Sequence, residues 1–229
     1  MKYHVSFDIE LRKNPYKGKY IAFEGIDGVG KTTQASILKE YLESKGKKNV
    51  LTKEPTQKAP IGSLIHDFIK GKIKLLPVSL QYLFAADREV HQKEIIEPNL
   101  KKGNIVISDR CLWSSVAYGT LDKKEDFYKL NNREFFLVSE SILSMYHRFI
   151  VPDITFYLNV SSETAIARLS KMKKKREYYE KAEKLKNIKA GYDWLSKKFP
   201  REITVINGAR SQEGVTAQIL KNLELRFKI

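Results

Sequence analysis

The chain has 229 residues, of which 42% are hydrophobic and 30% are charged, as expected for one globular domain with a sizeable core. It contains no apolar run of membrane-spanning length and no signal-peptide pattern, so a cytoplasmic location is expected. The net charge is +15, but the lysines are spread along the chain and no nucleic-acid recognition motif accompanies them. A dedicated nucleic-acid role is therefore not expected.

Residues 1–18 are predicted to form an N-terminal extension that precedes a domain covering 19–229. In this extension Val5, Phe7, Ile9 and Leu11 alternate with polar residues, as in an amphipathic strand. Such a segment either adds to a sheet edge or covers an apolar patch, and the sequence does not distinguish the two.

Five short runs rich in Val, Ile and aromatic residues alternate with segments of helical periodicity. The predicted strands are 20–24, 49–52, 104–108, 154–160 and 203–207. The predicted helices are 33–44, 80–101, about 133–148, 163–172, 179–199 and 214–227. Pro98 should kink or divide its helix, because proline removes a helical hydrogen bond. The alternation predicts a single α/β domain, with a five-stranded parallel sheet and helices on both faces.

Residues 25–32 read Gly-Ile-Asp-Gly-Val-Gly-Lys-Thr, a complete GxxxxGK[ST] phosphate-binding loop between a predicted strand and a predicted helix. The glycines let the main-chain N–H groups point at phosphate oxygens, at the positive end of a helix. Lys31 supplies a positive charge for the outer phosphates, and the hydroxyl of Thr32 is placed to ligate Mg²⁺. The predicted ATP-binding residues are Gly25, Ile26, Asp27, Gly28, Val29, Gly30, Lys31, Thr32 and Thr33.

Asp109 and Arg110 follow the predicted strand 104–108. Ligands of open α/β sheets bind beyond the carboxyl ends of the strands, so both side chains are expected to face the site. Asp109 is a candidate Mg²⁺ ligand, directly or through water, and Arg110 offers a planar fork for a phosphate. The alternative for this pair is a structural ion pair.

Phe84 and Arg88 lie four residues apart on the predicted helix 80–101 and therefore share a face. A ring beside a guanidinium can stack on a base and hydrogen-bond to its edge, although a Phe in such a segment is more often part of the core. Residues 114–118 read as a short helix near the same cleft. The basic run 171–176 is either a mobile lid between two helices or a solvated charge run.

These segments together resemble the thymidylate kinase family. The resemblance rests on FEGIDGVGKTTQ at 23–34, KEP at 53–55, LFAADR at 83–88, DR at 109–110 with SSVAY at 114–118, and PDITFYL at 152–158. It covers residues 20 to about 227. It implies a P-loop nucleoside monophosphate kinase fold with a flexible lid at about 171–180. It also implies a homodimer that transfers the γ-phosphate of ATP to dTMP with Mg²⁺.

The resemblance further implies a dTMP site. Asp27 would accept a hydrogen bond from the sugar 3′-hydroxyl, and Phe84 would stack on thymine. Arg88 would donate to the thymine O4, and Arg110 would hold the monophosphate. Ser115 would face the base, and Tyr118 would lie against the deoxyribose. The implied substrate-binding set is Asp27, Glu54, Pro55, Phe84, Arg88, Arg110, Ser115 and Tyr118.

The catalytic residues implied by the resemblance are Lys31, Arg110 and two lid arginines, Arg176 and Arg168. Thr32 and Asp109 would hold the metal, and residues 207–210 would border adenine. The chain departs from the family pattern at three positions. Gly28 stands where one branch carries a loop arginine, Lys53 replaces the arginine of an Arg-Glu-Pro motif, and Lys175 replaces an acidic residue.

Two other functions are compatible with the motifs. A kinase of the same fold could act on another nucleoside or nucleoside monophosphate. A P-loop protein without turnover could bind nucleotide or nucleic acid, but it would be expected to lack Lys31, Arg110 or the lid arginines, which are present.

Overall fold

A computed structural model describes residues 8–119, 139–170 and 178–229. Within these residues, five strands form one parallel sheet in the order β2-β3-β1-β4-β5. The strands are β1 Lys19–Glu24, β2 Asn49–Lys53, β3 Ile105–Asp109, β4 Ile154–Asn159 and β5 Ile203–Asn207. The predicted five-stranded parallel sheet is confirmed, and each strand lies within one residue of its predicted limits.

Strand β1 is at the centre of the sheet, between β3 and β4. Its successive residues Ile21, Ala22 and Phe23 are all fully buried, so helices cover the sheet on both faces. Phe23 is opposite Asp109 of β3 and Phe156 of β4. The segment after β1 and the segment after β3 therefore emerge side by side at the carboxyl edge of the sheet.

The helices connect the strands and pack on the sheet. They are α1 Lys31–Ser44, α2 Ile61–Ile69, α3 Pro77–His91, α4 Glu97–Lys101, α5 Leu112–Gly119, α6 139–144, α7 Ser162–Ser170, α8 Tyr178–Lys198 and α9 Gln212–Phe227. Helix α2 was not predicted from the sequence. In the described part of the chain, no helix combines the length and apolar composition needed to cross a membrane.

The predicted helix 80–101 is divided, as Pro98 indicated. A π-helical turn, Gln92–Ile96, separates α3 from α4. The N–H of Glu97 donates to the carbonyl of Gln92, five residues earlier. Pro98 then lies in the first turn of α4, where its missing N–H costs no helical hydrogen bond.

Two predicted segments lie partly outside the described residues. Of the predicted helix 133–148, residues 139–144 are helical, 145–148 form a turn, and 133–138 lie outside the described residues. Of the predicted lid 171–180, residues 171–177 lie outside the described residues. Residues 178–180 belong to α8, which begins one residue before the start of the predicted helix 179–199.

The described part of the N-terminal extension covers an apolar surface. Between residues 8 and 18 the regular pairing is a single bridge from Arg12 to Ile150. The side chain of Arg12 also donates to Glu97, at 2.8 Å, and Asn14 donates to Asp153, at 2.7 Å. Ile9, Leu11 and Tyr16 pack against the core. Of the two interpretations of the alternating pattern, residues 8–18 fit the cover rather than an added strand.

Candidate active site

The loop 25–30 leads from β1 directly into α1. Gly30 is the N-cap of α1 and has φ 97°, a conformation that side chains rarely adopt. Gly28 has φ 84°, and a Cβ there would lie 2.8 Å from Leu169 Cγ and 2.9 Å from the Ala165 carbonyl on α7. The loop is therefore packed against α7, and no side chain fits at position 28. The amino end of α1 faces the loop, which makes an anion-binding site.

Lys31 is held inside this loop. Its Nζ donates to the carbonyls of Gly25, at 3.0 Å, and Ile26, at 2.8 Å, and 7% of the residue is exposed. Burial, reinforced by the charge of Arg110, lowers the pKa of Lys31 to about 7. A phosphate in the loop would present to this amine a stronger acceptor than the two carbonyls.

Thr32 and Asp109 form the candidate metal centre. The Thr32 hydroxyl donates to Asp109 Oδ2 at 2.5 Å, and Lys53 Nζ lies 3.3 Å from the same oxygen. Asp109 Oδ1 is buried and has no hydrogen-bond partner among the described residues. Hydroxyl and carboxylate oxygens are suitable ligands for Mg²⁺, which retains several waters and takes the rest of its shell from substrate phosphates. These residues therefore fit the predicted ion. In the described ranges no cluster of three or more His, Cys, Asp or Glu forms a separate metal site.

Arg110 follows β3 in a constrained backbone conformation. Its φ is 80°, which costs energy for a residue with a side chain. The conformation is held by a hydrogen bond from the Arg110 N–H to the Phe23 carbonyl, at 2.9 Å, and by one from the Ser108 hydroxyl to the Arg110 carbonyl, at 2.6 Å. Strain of this kind is found where a side chain must point into a site.

The Arg110 guanidinium contacts the phosphate-binding loop. Nη2 donates to Asp27 Oδ1 at 2.5 Å and to the Tyr118 hydroxyl at 3.0 Å, while Nη1 donates to Ser114 Oγ at 3.1 Å and to the Tyr192 hydroxyl at 3.3 Å. Burial opposes its charge, but these phenols and carboxylates raise the pKa of Arg110 well above its ordinary value. Among the described residues, Asp109 pairs with Lys53 and Arg110 pairs with Asp27 rather than with each other.

Glu24, the last residue of β1, is a site residue that the sequence did not assign. It is fully buried, and it accepts hydrogen bonds from the main-chain N–H groups of Cys111 and Ser114, at 2.9 and 3.0 Å. It also accepts from the hydroxyls of Ser114 and Tyr192, each at 2.7 Å. The carboxylate thus binds the amino end of α5 and fixes two of the groups that contact Arg110.

Arg88 lies at a second buried position, in α3. Nε donates to Glu54 Oε2 at 2.5 Å, and Nη1 donates to the hydroxyls of Ser115 and, at 3.0 Å, Tyr146. Burial would lower the pKa of Arg88, but Glu54 outweighs this and raises it, so the guanidinium is charged. Its Cζ lies 5.9 Å from the centre of the half-buried Phe84 ring, as the shared helical face predicted.

Helix α5 joins the two arginines. Ser115 near its start contacts Arg88, and Tyr118, one turn later, contacts Arg110. Not every predicted substrate residue lies in this cleft. Pro55 follows Glu54 through a cis peptide bond and lines a different cavity, of about 490 Å³, which is bordered by α2, α3 and the end of β2.

A third group surrounds a cavity of about 170 Å³ beside the phosphate-binding loop. Its lining residues are Val29, Gly30, Thr33, Gln34, Arg168, Gly208, Arg210, Gln212 and Val215. Arg168 Nη2 donates to the Gly208 carbonyl at 3.0 Å. Arg168 is thus placed between the loop and the segment 207–210. Arg176 lies outside the described residues.

The fold and site define the class of protein. A parallel sheet whose first strand leads through GxxxxGK[ST] into a helix, with Asp109 and Arg110 at the adjacent strand end, is a P-loop nucleotide kinase. A family model described as thymidylate kinase matches residues 23–219. The chain therefore belongs to the thymidylate kinase family, and the predicted resemblance is confirmed.

Relatives and solved structures agree with this placement. The chain is 36% identical over 216 residues to a thymidylate kinase of Mesoplasma florum, covering 90% of this chain and 97% of that one. It is 31% identical over 210 residues to a thymidylate kinase of Kosmotoga olearia, covering 91% and 97%. The structure of thymidylate kinase from Candida albicans matches with a TM-score of 0.73 and 26% identity, over 91% of this chain and 92% of that one.

Proposed function

We propose that the protein transfers the γ-phosphate of ATP to dTMP, giving ADP and dTDP, with Mg²⁺. The observation that carries the proposal is the family match over residues 23–219. It is supported by the geometry. Thr32, next to Lys31, contacts Asp109 at the carboxyl edge of the sheet, and α5 contacts both Arg110 and Arg88.

Catalysis consists of positioning and charge neutralisation. The attacking group is an oxygen of the dTMP phosphate, which is already anionic at neutral pH, so no general base is needed. The loop amides and Lys31 hold the outer phosphates of ATP, and Arg110 holds the monophosphate. Thr32 and Asp109 would hold Mg²⁺, which would supply positive charge to offset that of the phosphates.

The dTMP site lies along α5. Asp27 accepts a hydrogen bond from the sugar 3′-hydroxyl, and Tyr118 lies against the deoxyribose. Phe84 stacks on the thymine, while Arg88 donates to its 4-keto oxygen. Ser115 faces the base, and Glu54 completes this side of the site through its hydrogen bond from Arg88. The half-buried Phe84 supports the stacking role, because the residue is not fully enclosed by the core.

A coupled ADP-release assay tests the proposal. The enzyme is given ATP and Mg²⁺ with dTMP, dUMP, CMP, AMP, GMP or thymidine. We expect the highest kcat/KM with dTMP. A clear preference for another acceptor would transfer the assignment to a different nucleoside or nucleotide kinase, and no turnover with any acceptor would overturn it.

Asp27 provides a test of the sugar contact. Replacement by alanine should raise the KM for dTMP by about 10- to 100-fold, since a hydrogen bond to a charged group contributes roughly 1.5–3 kcal/mol. The KM for ATP should change little, although Asp27 lies within the ATP loop. Steady-state kinetics with each substrate varied in turn measure both values. A raised KM for ATP with an unchanged KM for dTMP would show that the assigned role is wrong.

The two lid candidates are separated by lysine substitutions, which keep the charge but remove the fork geometry. We expect Arg176→Lys to lower kcat by about tenfold with little change in dTMP affinity, as for a residue that acts in the transition state. Because Arg168 contacts the Gly208 carbonyl beside the 170 Å³ cavity, Arg168→Lys should instead raise the KM for ATP. If kcat falls only in the Arg168 variant, the catalytic role belongs to Arg168.

The active form is a homodimer located in the cytoplasm. Helices α2 and α3 support the dimer, because they expose the apolar side chains of Leu64 (41%), Ile69 (56%) and Tyr82 (64%). Sedimentation of the full chain, compared with a Leu64→Ser/Ile69→Ser variant, is expected to show a dimer that the substitutions weaken. The cytoplasmic location is supported by Cys111, which is buried and free, as is usual for a protein of a reducing compartment.

A further inference from the structure

A chain of buried hydrogen bonds continues behind Arg88, away from the cleft. His91 ends α3 one turn after Arg88 and is 2% exposed. Its Nδ1 lies 2.9 Å from Glu54 Oε1, and its Nε2 lies 2.6 Å from the hydroxyl of Thr52. Thr52 belongs to β2, where it is opposite Ser108 of β3. His91 therefore links the partner of Arg88 to the sheet.

The direction of these hydrogen bonds follows from the charge of Glu54. Burial raises the pKa of Glu54, but Arg88 and His91 outweigh the burial and lower it. An ionised carboxylate only accepts hydrogen bonds, so Nδ1 of His91 carries a proton and donates to Oε1. In the tautomer that leaves Nε2 without a proton, Nε2 accepts from the Thr52 hydroxyl.

Glu54 is thus held at both of its oxygens. Oε2 accepts from Arg88 Nε, and Oε1 accepts from His91 Nδ1. If the His91 donor were lost, Oε1 would be buried without a partner, and the carboxylate would be free to rotate toward another donor. The Arg88 guanidinium, which Glu54 holds, would then shift relative to a bound nucleotide base.

We infer that His91 is a positioning residue that sets the discrimination between thymine and cytosine, acting through Glu54 on Arg88. The inference rests on the proposed function, in which Arg88 donates to the 4-keto oxygen. A donor that reads one atom of a base must be held within a fraction of an ångström by its supporting hydrogen bonds. His91 and Thr52 provide that support from outside the cleft, without contacting the nucleotide.

Two substitutions of His91 form a matched pair. Asparagine places its amide nitrogen close to the position of Nδ1, so it can still donate to Glu54. Glutamine reaches instead toward the position of Nε2 and Thr52. Both are polar, uncharged and lack the imidazole ring, so a purely structural effect should be similar in the two variants. Only the asparagine variant should preserve the orientation of Arg88.

The measurement is kcat/KM for dTMP and for dCMP, with the KM for ATP and the melting temperature of each variant. We expect His91→Gln to lower kcat/KM for dTMP and the dTMP:dCMP ratio each by about tenfold, as for the loss of one hydrogen bond to a charged group. The KM for ATP should change by less than about twofold, and His91→Asn should keep most of the ratio. Thr52→Val should lower the ratio by a smaller factor.

The outcomes separate this inference from the function on which it rests. A wild-type enzyme without dTMP kinase activity overturns both. If the wild type prefers dTMP and Arg88→Ala lowers the dTMP:dCMP ratio while His91→Gln leaves it unchanged, the inference alone is wrong. The inference is also wrong if both His91 variants melt at a lower temperature and show an equal fall in kcat/KM for dTMP and dCMP. That result is expected if His91 has only a structural role.

Discussion

Replacing Lys31 with alanine is expected to lower kcat by about 1,000-fold or more in a protein that still folds. The amine is buried in the phosphate-binding loop, where its charge acts in a region of low dielectric. The loss corresponds to about 4 kcal/mol of transition-state stabilisation, since each tenfold change in rate is 1.36 kcal/mol. Single-turnover measurements with saturating ATP and dTMP give the chemical step directly.

A lysine on the same helix is the matched control. Lys39 of α1 pairs with Glu43 at 2.8 Å on the protein surface, so Lys39→Ala should leave kcat near the wild-type value. The melting temperature of both variants shows whether the fold is retained. Near wild-type turnover in a folded Lys31→Ala protein would remove the P-loop assignment.

Arg88→Ala is expected to lower kcat/KM for dTMP by about 10- to 100-fold, corresponding to roughly 1.5–3 kcal/mol. A guanidinium can donate to the 4-keto oxygen of thymine but not to the 4-amino group of cytosine, which is itself a donor. The wild type should therefore reject dCMP, and the variant should narrow the difference between the two substrates. Kinetics with both nucleotides measure this. If the wild type prefers dCMP, or selectivity is unchanged, Arg88 does not read the base.

The same substitution carries a cost in stability. It leaves Glu54, which is 2% exposed, without its main charge partner, and breaking a buried ion pair costs about 3–5 kcal/mol. For a domain of this size the melting temperature should fall by about 6–20 °C. The double variant Arg88→Ala/Glu54→Gln should recover part of this loss without recovering selectivity. Arg12→Ala, which breaks the partly exposed pair with Glu97, should leave selectivity at the wild-type value.

The sheet and the phosphate-binding loop could be predicted from the sequence because their signals are local. Buried parallel strands are short apolar runs, and the loop is a contiguous motif whose glycines have backbone roles. The positions of Asp109 and Arg110 followed from the rule that strand ends meet at one edge. Phe84 and Arg88 followed from helical spacing, and the structure places them 5.9 Å apart.

Other parts of the site have no local signal. Tyr146 and Tyr192 lie 58 and 82 positions from the arginines they contact, so only the packed fold brings them there. Glu24 stands inside a motif, yet its capping of α5 depends on how β1 and β3 pair. Helix α2 was missed because its apolar residues are not all directed at the core, as exposed Leu64 and Ile69 show.

Because α5 contacts both Arg88 and Arg110, it fixes the distance between their guanidinium groups, and this distance limits the length of the acceptor molecule. Ser115 and Tyr118 are three residues apart, about 4.5 Å along a helix axis. Their contacts set the separation between the guanidinium assigned to the base and the one assigned to the phosphate. With these assignments, a nucleoside without its 5′-phosphate could contact Arg88 but not Arg110. A shift or kink in α5 would therefore alter the tolerated length of the acceptor before it altered the chemistry of either end.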